Sequence, residues 1–228
     1  MKLPRAIHRW SLTPKAAIQL QKRLAPRVRI EPLTGYPRLI AGADLAFSPD
    51  GLRCLAGVVV YDLETRAPVE EVVAWCPVRF PYVPGLLSFR EIPAVLAAAR
   101  KLKTEPDLFM FDGQGFAHPR RVGLASHAGL MLGKPSVGCA KSRLCGQHAD
   151  PALEAGAFSP LLDEDEVIGA VLRTRTGVKP IYVSVGHRIM LEQAIEVAMC
   201  CVTRYRVPEP TRLAHILVTR RRGTNECS

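Results

Sequence analysis

The chain has 228 residues, with 31 Lys and Arg against 21 Asp and Glu and a formal charge of +10. That length can bury one α/β core without disulfide staples, and 48% hydrophobic with 23% charged residues is the balance of a globular chain rather than a disordered or fibrous one. A pI near 9.6 favours an anionic partner, nucleic acid before a membrane surface, although many basic proteins are merely well solvated.

Met1–Trp10 is basic but leads into no apolar core of signal length, and no later stretch is long enough to span a bilayer. Cys54, Cys76, Cys139, Cys145, Cys200, Cys201 and Cys227 form no CxxC pair and no zinc spacing, so reduced, packed thiols are expected. A cytoplasmic protein with no membrane contact, a single domain over residues 1–228 and a monomer are the expectations.

In chain order, Thr13-Pro14 has the form of an N-cap followed by proline at the first helical position, opening a helix through Ala16, Ile18, Leu20 and Leu24 that Pro26 stops. Arg38–Phe47, Cys54–Asp62 and Val69–Val78 are predicted strands with short connections, which implies an antiparallel meander. Ser88 begins a helical period, with Phe89, Ile92, Val95, Leu96, Ala99 and Leu102 on one face. Ser88-Phe89-Arg90-Glu91 has the spacing of a capping box with Ser88 as N-cap.

Leu108–Phe111 is a short apolar strand of the kind buried on both sides of a sheet. Val122–Leu132 is a predicted helix and Ser136–Ala140 a strand. Val167–Arg173 and Ile181–Gly186 form a hairpin around Thr176-Gly177, and Ile189–Tyr205 with Pro210–Arg222 end the chain as helices. Gln147–Asp163 is expected to be a surface excursion. The sum is α/β, a mixed central sheet flanked by helices, compatible with a ribonuclease H-like fold and with several other α/β folds.

The chemistry-bearing residues concentrate between Phe80 and Gly146. Asp44 lies in an otherwise apolar strand, where a carboxylate is costly to bury unless paired or metal-bound; an edge strand facing water is the alternative. Asp112 ends the Leu108–Phe111 run, which puts it on the sheet rim where α/β proteins hold ligands, or else in an ordinary Asp-Gly turn.

Glu91 is either the acid of the capping box or a third ligand. Three carboxylates from three elements suit Mg²⁺ or Mn²⁺, which also bind substrate phosphate. Lys141, at a strand end, can hold a phosphate or orient a water. His118 is a proton donor or a turn histidine capping a carbonyl. His127, on the helix face with Leu124 and Leu130, fits a hydrogen-bonded core histidine, and His215 is open. Pro81-Tyr82-Val83-Pro84 holds an aromatic between two prolines, either a wedge for unstacking bases or a surface turn.

The segments FPYVPGLLSFRE, DGQGFAHPRRVGLASH and GCAKSRLCG, in this order and spacing, closely resemble the endonuclease V family of DNA repair nucleases. The resemblance runs from about Ala41 to Gly146 and resumes at VGHRI and RVPEPTRLAH. Gln114 is a departure, since bacterial relatives often carry His there.

The resemblance implies a ribonuclease H-like fold and Mg²⁺-dependent hydrolysis, with Mn²⁺ as substitute, of the second phosphodiester 3′ to deoxyinosine, leaving 3′-hydroxyl and 5′-phosphate ends. It implies Asp44, Glu91 and Asp112 as metal-binding acids, His118 and Lys141 as assisting residues and His215 as a histidine near the metals. It further implies Pro81–Pro84 as the wedge with Tyr82 at its tip, and Gly85, Leu87, Gly113, Leu124 and Gly138 as the lesion pocket. The partner is deoxyinosine-containing DNA, single- or double-stranded. Two alternatives stand beside it: cleavage of inosine-containing RNA, and lesion binding without cleavage.

Overall fold

A computed structural model of the chain describes residues 1–224; Cys227 lies outside the described residues. Eight strands form a single sheet in the order β3-β2-β1-β4-β5-β8-β7-β6. They are β1 (Leu39–Phe47), β2 (Arg53–Asp62), β3 (Ala67–Pro77), β4 (Leu108–Phe111), β5 (Ser136–Ala140), β6 (Phe158–Asp163), β7 (Glu166–Leu172) and β8 (Ile181–His187). The antiparallel meander is β1–β2–β3, the expected late hairpin is β7–β8, and β1, β4 and β5 run parallel at the centre.

Helices α1 (Pro14–Leu24), α2 (Leu87–Ala99), α3 (Leu124–Leu132), α4 (Leu191–Cys200) and α5 (Glu209–Thr224) complete the fold. Alternation along the central strands feeds two cores. Ala41, Ala43, Phe109 and Phe111 point to the side covered by Ile92 and Val95 of α2 and by Ala125 and Ala128 of α3. Ile40, Leu108, Met110 and Val137 point to the side covered by Ala194, Val197 and Ala198 of α4. Every side chain of β4 is buried, which is why its apolar run shows no alternation. Each large side chain buried there stabilises the fold by roughly 1.5–3 kcal/mol.

Thr13 caps α1 as expected, its Oγ1 accepting from the Ala16 N–H at 3.3 Å with Pro14 next in line. Three expectations need correction. Ser88 is not an N-cap: α2 starts at Leu87, and the buried Ser88 hydroxyl lies 2.9 Å from Nδ1 of His127 instead. The buried Leu86 takes the N-cap position and packs into the core, so the Ser88 hydroxyl of the capping pattern serves a different bond.

Gln147–Asp163 is not all excursion, because its last six residues form β6 at the sheet edge, with Leu161 fully buried. Pro160 hid this strand, being tolerated only where one edge of a strand is free. Finally β1 is central, between β2 and β4, so Asp44 is not an edge residue facing water. Among the described residues no helix is long and apolar enough to cross a membrane.

Candidate functional site

The parallel pairing of β1 and β4 matches Ala43 with Phe111, and one residue further each strand carries an aspartate, Asp44 and Asp112. Glu91 approaches the same rim from the second turn of α2, close enough to feel the charges of Asp44 and Asp112. Helix α5 approaches β1 so closely that a Cβ on Gly42 would stand 2.0 Å from the carbonyl group of Pro210. Only glycine allows that contact, and it brings His215 over the rim, with Nδ1 2.7 Å from Oδ2 of Asp44. From the other side Lys141, one residue past β5, forms an ion pair with Asp112.

Charge crowding shows in the ionisation of these groups. Burial, reinforced by the carboxylates of Asp44 and Asp112, pushes Glu91 up to about 8. Asp44 is also raised by burial, against the opposing pull of the Leu45 N–H and His215. Among the described residues Glu91 makes no hydrogen bond or ion pair, so a half-buried acid stands without a partner in the field of two others.

In donor chemistry the trio fits a hard divalent cation. The ligand geometry is not preformed: among the described residues no three His, Cys, Asp or Glu side chains stand close enough to hold a metal. Instead, Lys141 and His215 each engage one oxygen of Asp112 and Asp44.

Beside the acids lies a cavity of about 440 Å³ lined by Tyr82, Val83, Pro84, Gly85, Leu87, Asp112, Gly113, Leu124, Lys141 and Arg143, among others. Four of the five expected pocket residues, Gly85, Leu87, Gly113 and Leu124, line it. Gly138 does not. It is buried in β5 beneath the turn, where a Cβ would meet the Gly113 carbonyl oxygen at 2.4 Å, so it supports the floor of the cavity.

The projecting loop has a firm base. Leu86 N–H donates to the Val83 carbonyl at 2.9 Å, and Gly85 has φ +75°. Pro84-Gly85 thus supplies the residue types of a type II turn, whose third position requires positive φ. Phe80 is buried against Phe89, and its carbonyl accepts from Arg90 Nη1 at 2.9 Å. Tyr82 is left 72% exposed.

His118 is buried, and both ring nitrogens are engaged. Nδ1 accepts the Arg120 backbone N–H at 3.1 Å, so Nε2 carries the proton and donates it to the Gly85 carbonyl at 3.0 Å. Burial pulls its pKa down to about 4, helped by the charges of Arg120 and Arg121. Of the two sequence readings, the turn histidine is the geometry found. His127 is wholly buried, its other nitrogen 2.7 Å from Nε2 of His8, as a core histidine.

Sequence reasoning missed Gln21, Arg120 and the tie made by Gln114. The Gln114 amide donates to the Ser142 carbonyl at 2.9 Å, joining the turn after β4 to the loop that carries Lys141. Gln21 and Arg120 both bond the Gly85 loop. A signal for Gln21 existed: with Ala17, Leu20 and Leu24 it occupies the i, i+3, i+4, i+7 stripe of α1, a polar residue on the buried face.

The family profile described as Endonuclease V matches residues 22–216. The endonuclease V of Methanothrix thermoacetophila is 49% identical over 217 residues, covering 95% of this chain and 96% of its own. The crystal structure of Bacillus subtilis endonuclease V superposes with a TM-score of 0.93 at 35% identity, over 99% of both chains. Ciona intestinalis endonuclease V, solved with a 24-mer DNA containing an inosine followed by a ribo-adenosine, gives 0.77 at 25% identity over 90% of this chain and 95% of that one.

Proposed function

The chain belongs to the endonuclease V family, whose ribonuclease H-like fold it shares, and on that premise we propose a Mg²⁺-dependent repair nuclease that hydrolyses the second phosphodiester 3′ to deoxyinosine. The ends left are 3′-hydroxyl and 5′-phosphate, and Mn²⁺ substitutes for Mg²⁺. A cytoplasmic monomer of one domain completes the proposal. The observation that carries it is the unpartnered Glu91, crowded by Asp44 and Asp112, with Asp112 itself lining a cavity large enough for a base.

When bound, the metal would supply Lewis-acid stabilisation of a phosphodiester oxygen and a more acidic water. Asp44, Glu91 and Asp112 would hold it, which requires Glu91 to give up its proton. Lys141 would then be free to turn from Asp112 towards phosphate, while the His215 hydrogen bond to Asp44 opposes the rise that burial causes there. His118 works by position, holding the Gly85 turn rather than offering a proton. Tyr82 enters the stack and offsets part of the cost of extruding the lesion. Hypoxanthine carries O6 where adenine has N6–H₂ and lacks the guanine 2-amino group. A narrow cavity of backbone polar groups between Leu87 and Leu124 can reward the first difference and exclude the second.

The test is cleavage of a labelled deoxyinosine oligonucleotide with Mg²⁺ or Mn²⁺, beside an adenine control and Asp44→Ala. A single cut one nucleotide beyond the lesion, absent from both controls, is expected. Equal cutting of the adenine strand, or an active Asp44→Ala protein, would refute the proposal. The ribo-adenosine in the Ciona complex favours a second reading, in which inosine-containing RNA is the substrate. A ribonucleotide at the scissile position of the same oligonucleotide decides it: a rate gain of tenfold or more would favour RNA.

A further inference from the structure

We infer that Gln21, on α1 and outside every motif of the site, is a positioning residue for lesion recognition that joins the loop bearing Tyr82 to the start of α3. The inference rests on the reading of that cavity as the seat of a deaminated base.

The Gln21 side chain is buried, with the residue only 1% exposed. Its Nε2 donates to the Gly85 carbonyl at 3.0 Å and to the Val122 carbonyl at 2.9 Å. Gly85 belongs to the loop that bears Tyr82, whereas Val122 leads directly into α3, whose first residue, Leu124, also lines the cavity. One amide, itself in the cavity lining, therefore joins the loop and the start of α3. Its Oε1 accepts from Arg120 Nε at 2.6 Å, and Arg120 Nη2 returns to the same Gly85 carbonyl at 2.9 Å.

The orientation of the amide is fixed by its neighbours. A flip would set its oxygen against two carbonyls and its nitrogen against a guanidinium. With His118, three donors from three side chains converge on one carbonyl oxygen. Such a buried network, fully satisfied, specifies one arrangement of the loop rather than adding much to its stability. A carbonyl engaged in this way cannot itself bond a base. The work of the knot is to hold Gly85 at its positive φ, with Tyr82 projecting beside the cavity that Leu87 and Leu124 line.

Gln21→Met keeps the length and removes all three bonds, while Gln21→Glu keeps the acceptor for Arg120 and removes both donors. Both variants would be compared with the parent in two assays, each normalised to folded protein by thermal melt. The first is steady-state cleavage of deoxyinosine in a duplex and in a single strand. The second is metal-free binding to a duplex carrying 2-aminopurine beside deoxyinosine, whose fluorescence rises when the stack opens.

For Gln21→Met the expected result is a KM on the duplex about tenfold higher, with kcat within threefold, a smaller change on the single strand, and a weakened fluorescence rise. Gln21→Glu should share these losses, because the donors and not the acceptor join the loop to the start of α3. A variant whose duplex KM, duplex-to-single-strand ratio and fluorescence all match the parent would overturn the inference and leave Gln21 a structural residue. Equal loss of kcat on both substrates with KM unchanged would do the same. If the parent itself neither opens nor cuts the deoxyinosine duplex, the functional reading falls, and this inference with it.

Discussion

Asp44 and His118 show what a residue type reveals without its surroundings. From β1 alone, a carboxylate in an apolar strand favoured an edge position facing water, and only the company of Glu91 and Asp112 made Asp44 a site candidate. What the sequence could not supply was the central place of β1 and the approach of α5, which depends on pairing and on the contact at Gly42. For His118 the two sequence readings differed only in where the ring nitrogens point, and no sequence spacing encodes that.

Since Nε2 donates to Gly85 and Nδ1 accepts from Arg120, protonating His118 breaks a bond that the neutral ring makes. A pKa held down to about 4 by burial leaves it neutral through the working range. His118→Ala should therefore lower cleavage roughly tenfold, within the range for losing a supporting contact, without changing the shape of the pH–rate profile between pH 5 and 8. Loss of a titrating limb near neutrality in that profile would show instead that His118 transfers a proton.

Among the elements, those with a single dominant pattern were legible. Strands β4 and β5 are found at the predicted residues: both are short runs buried throughout, and that of β4 is wholly apolar. Strand β6 was lost to Pro160, and the start of α2 to a Ser-x-x-Glu spacing whose serine is bonded to a distant histidine. Local patterns mislead when a partner far along the chain outbids the local one.

The loop from Phe80 to Leu86 combines both kinds of information. Its turn chemistry was plain from Pro84-Gly85, but its rigidity comes from Arg90, His118, Arg120 and Gln21. A projection held at both ends loses little entropy when it enters a stack. Tyr82→Ala should weaken cleavage of a deoxyinosine duplex by about tenfold, equivalent to part of the few kcal/mol that unstacking costs, and a single strand by less than threefold. Gel assays on matched substrates measure this, and equal losses on both would remove the wedge.

For the molecule as a whole, the site works against the fold, and the conflict has a readable sign. In the metal-free chain Glu91 keeps its proton up to about pH 8, while in the unfolded chain it ionises near its ordinary value of 4.5. Between those values the folded state binds the extra proton, so the contribution of Glu91 to stability is fully present below about 4.5 and is lost as pH rises through 8. Glu91→Gln imitates the protonated acid and cannot lose it.

Wild-type and Glu91→Gln proteins should therefore melt together near pH 4.5 in chelator, and the variant should melt higher as pH approaches 8.5. The gap corresponds to on the order of 5 kcal/mol at most for a shift of this size. Buried neutral histidines act oppositely and alike in both proteins. His118, His127 and His187 are held near 4, 3 and 4 by burial, so acidification below about 6.5 destabilises both chains and cancels in the comparison. Adding Mg²⁺ at pH 8 should raise the melting temperature of the wild type and leave Glu91→Gln nearly unchanged, since a cation that holds ionised Glu91 stabilises only the folded state. Differential scanning calorimetry across pH 4.5–8.5 reads both effects. A wild-type curve that tracks the variant at every pH, with and without Mg²⁺, would mean that Glu91 is neither crowded by Asp44 and Asp112 nor placed to meet a metal.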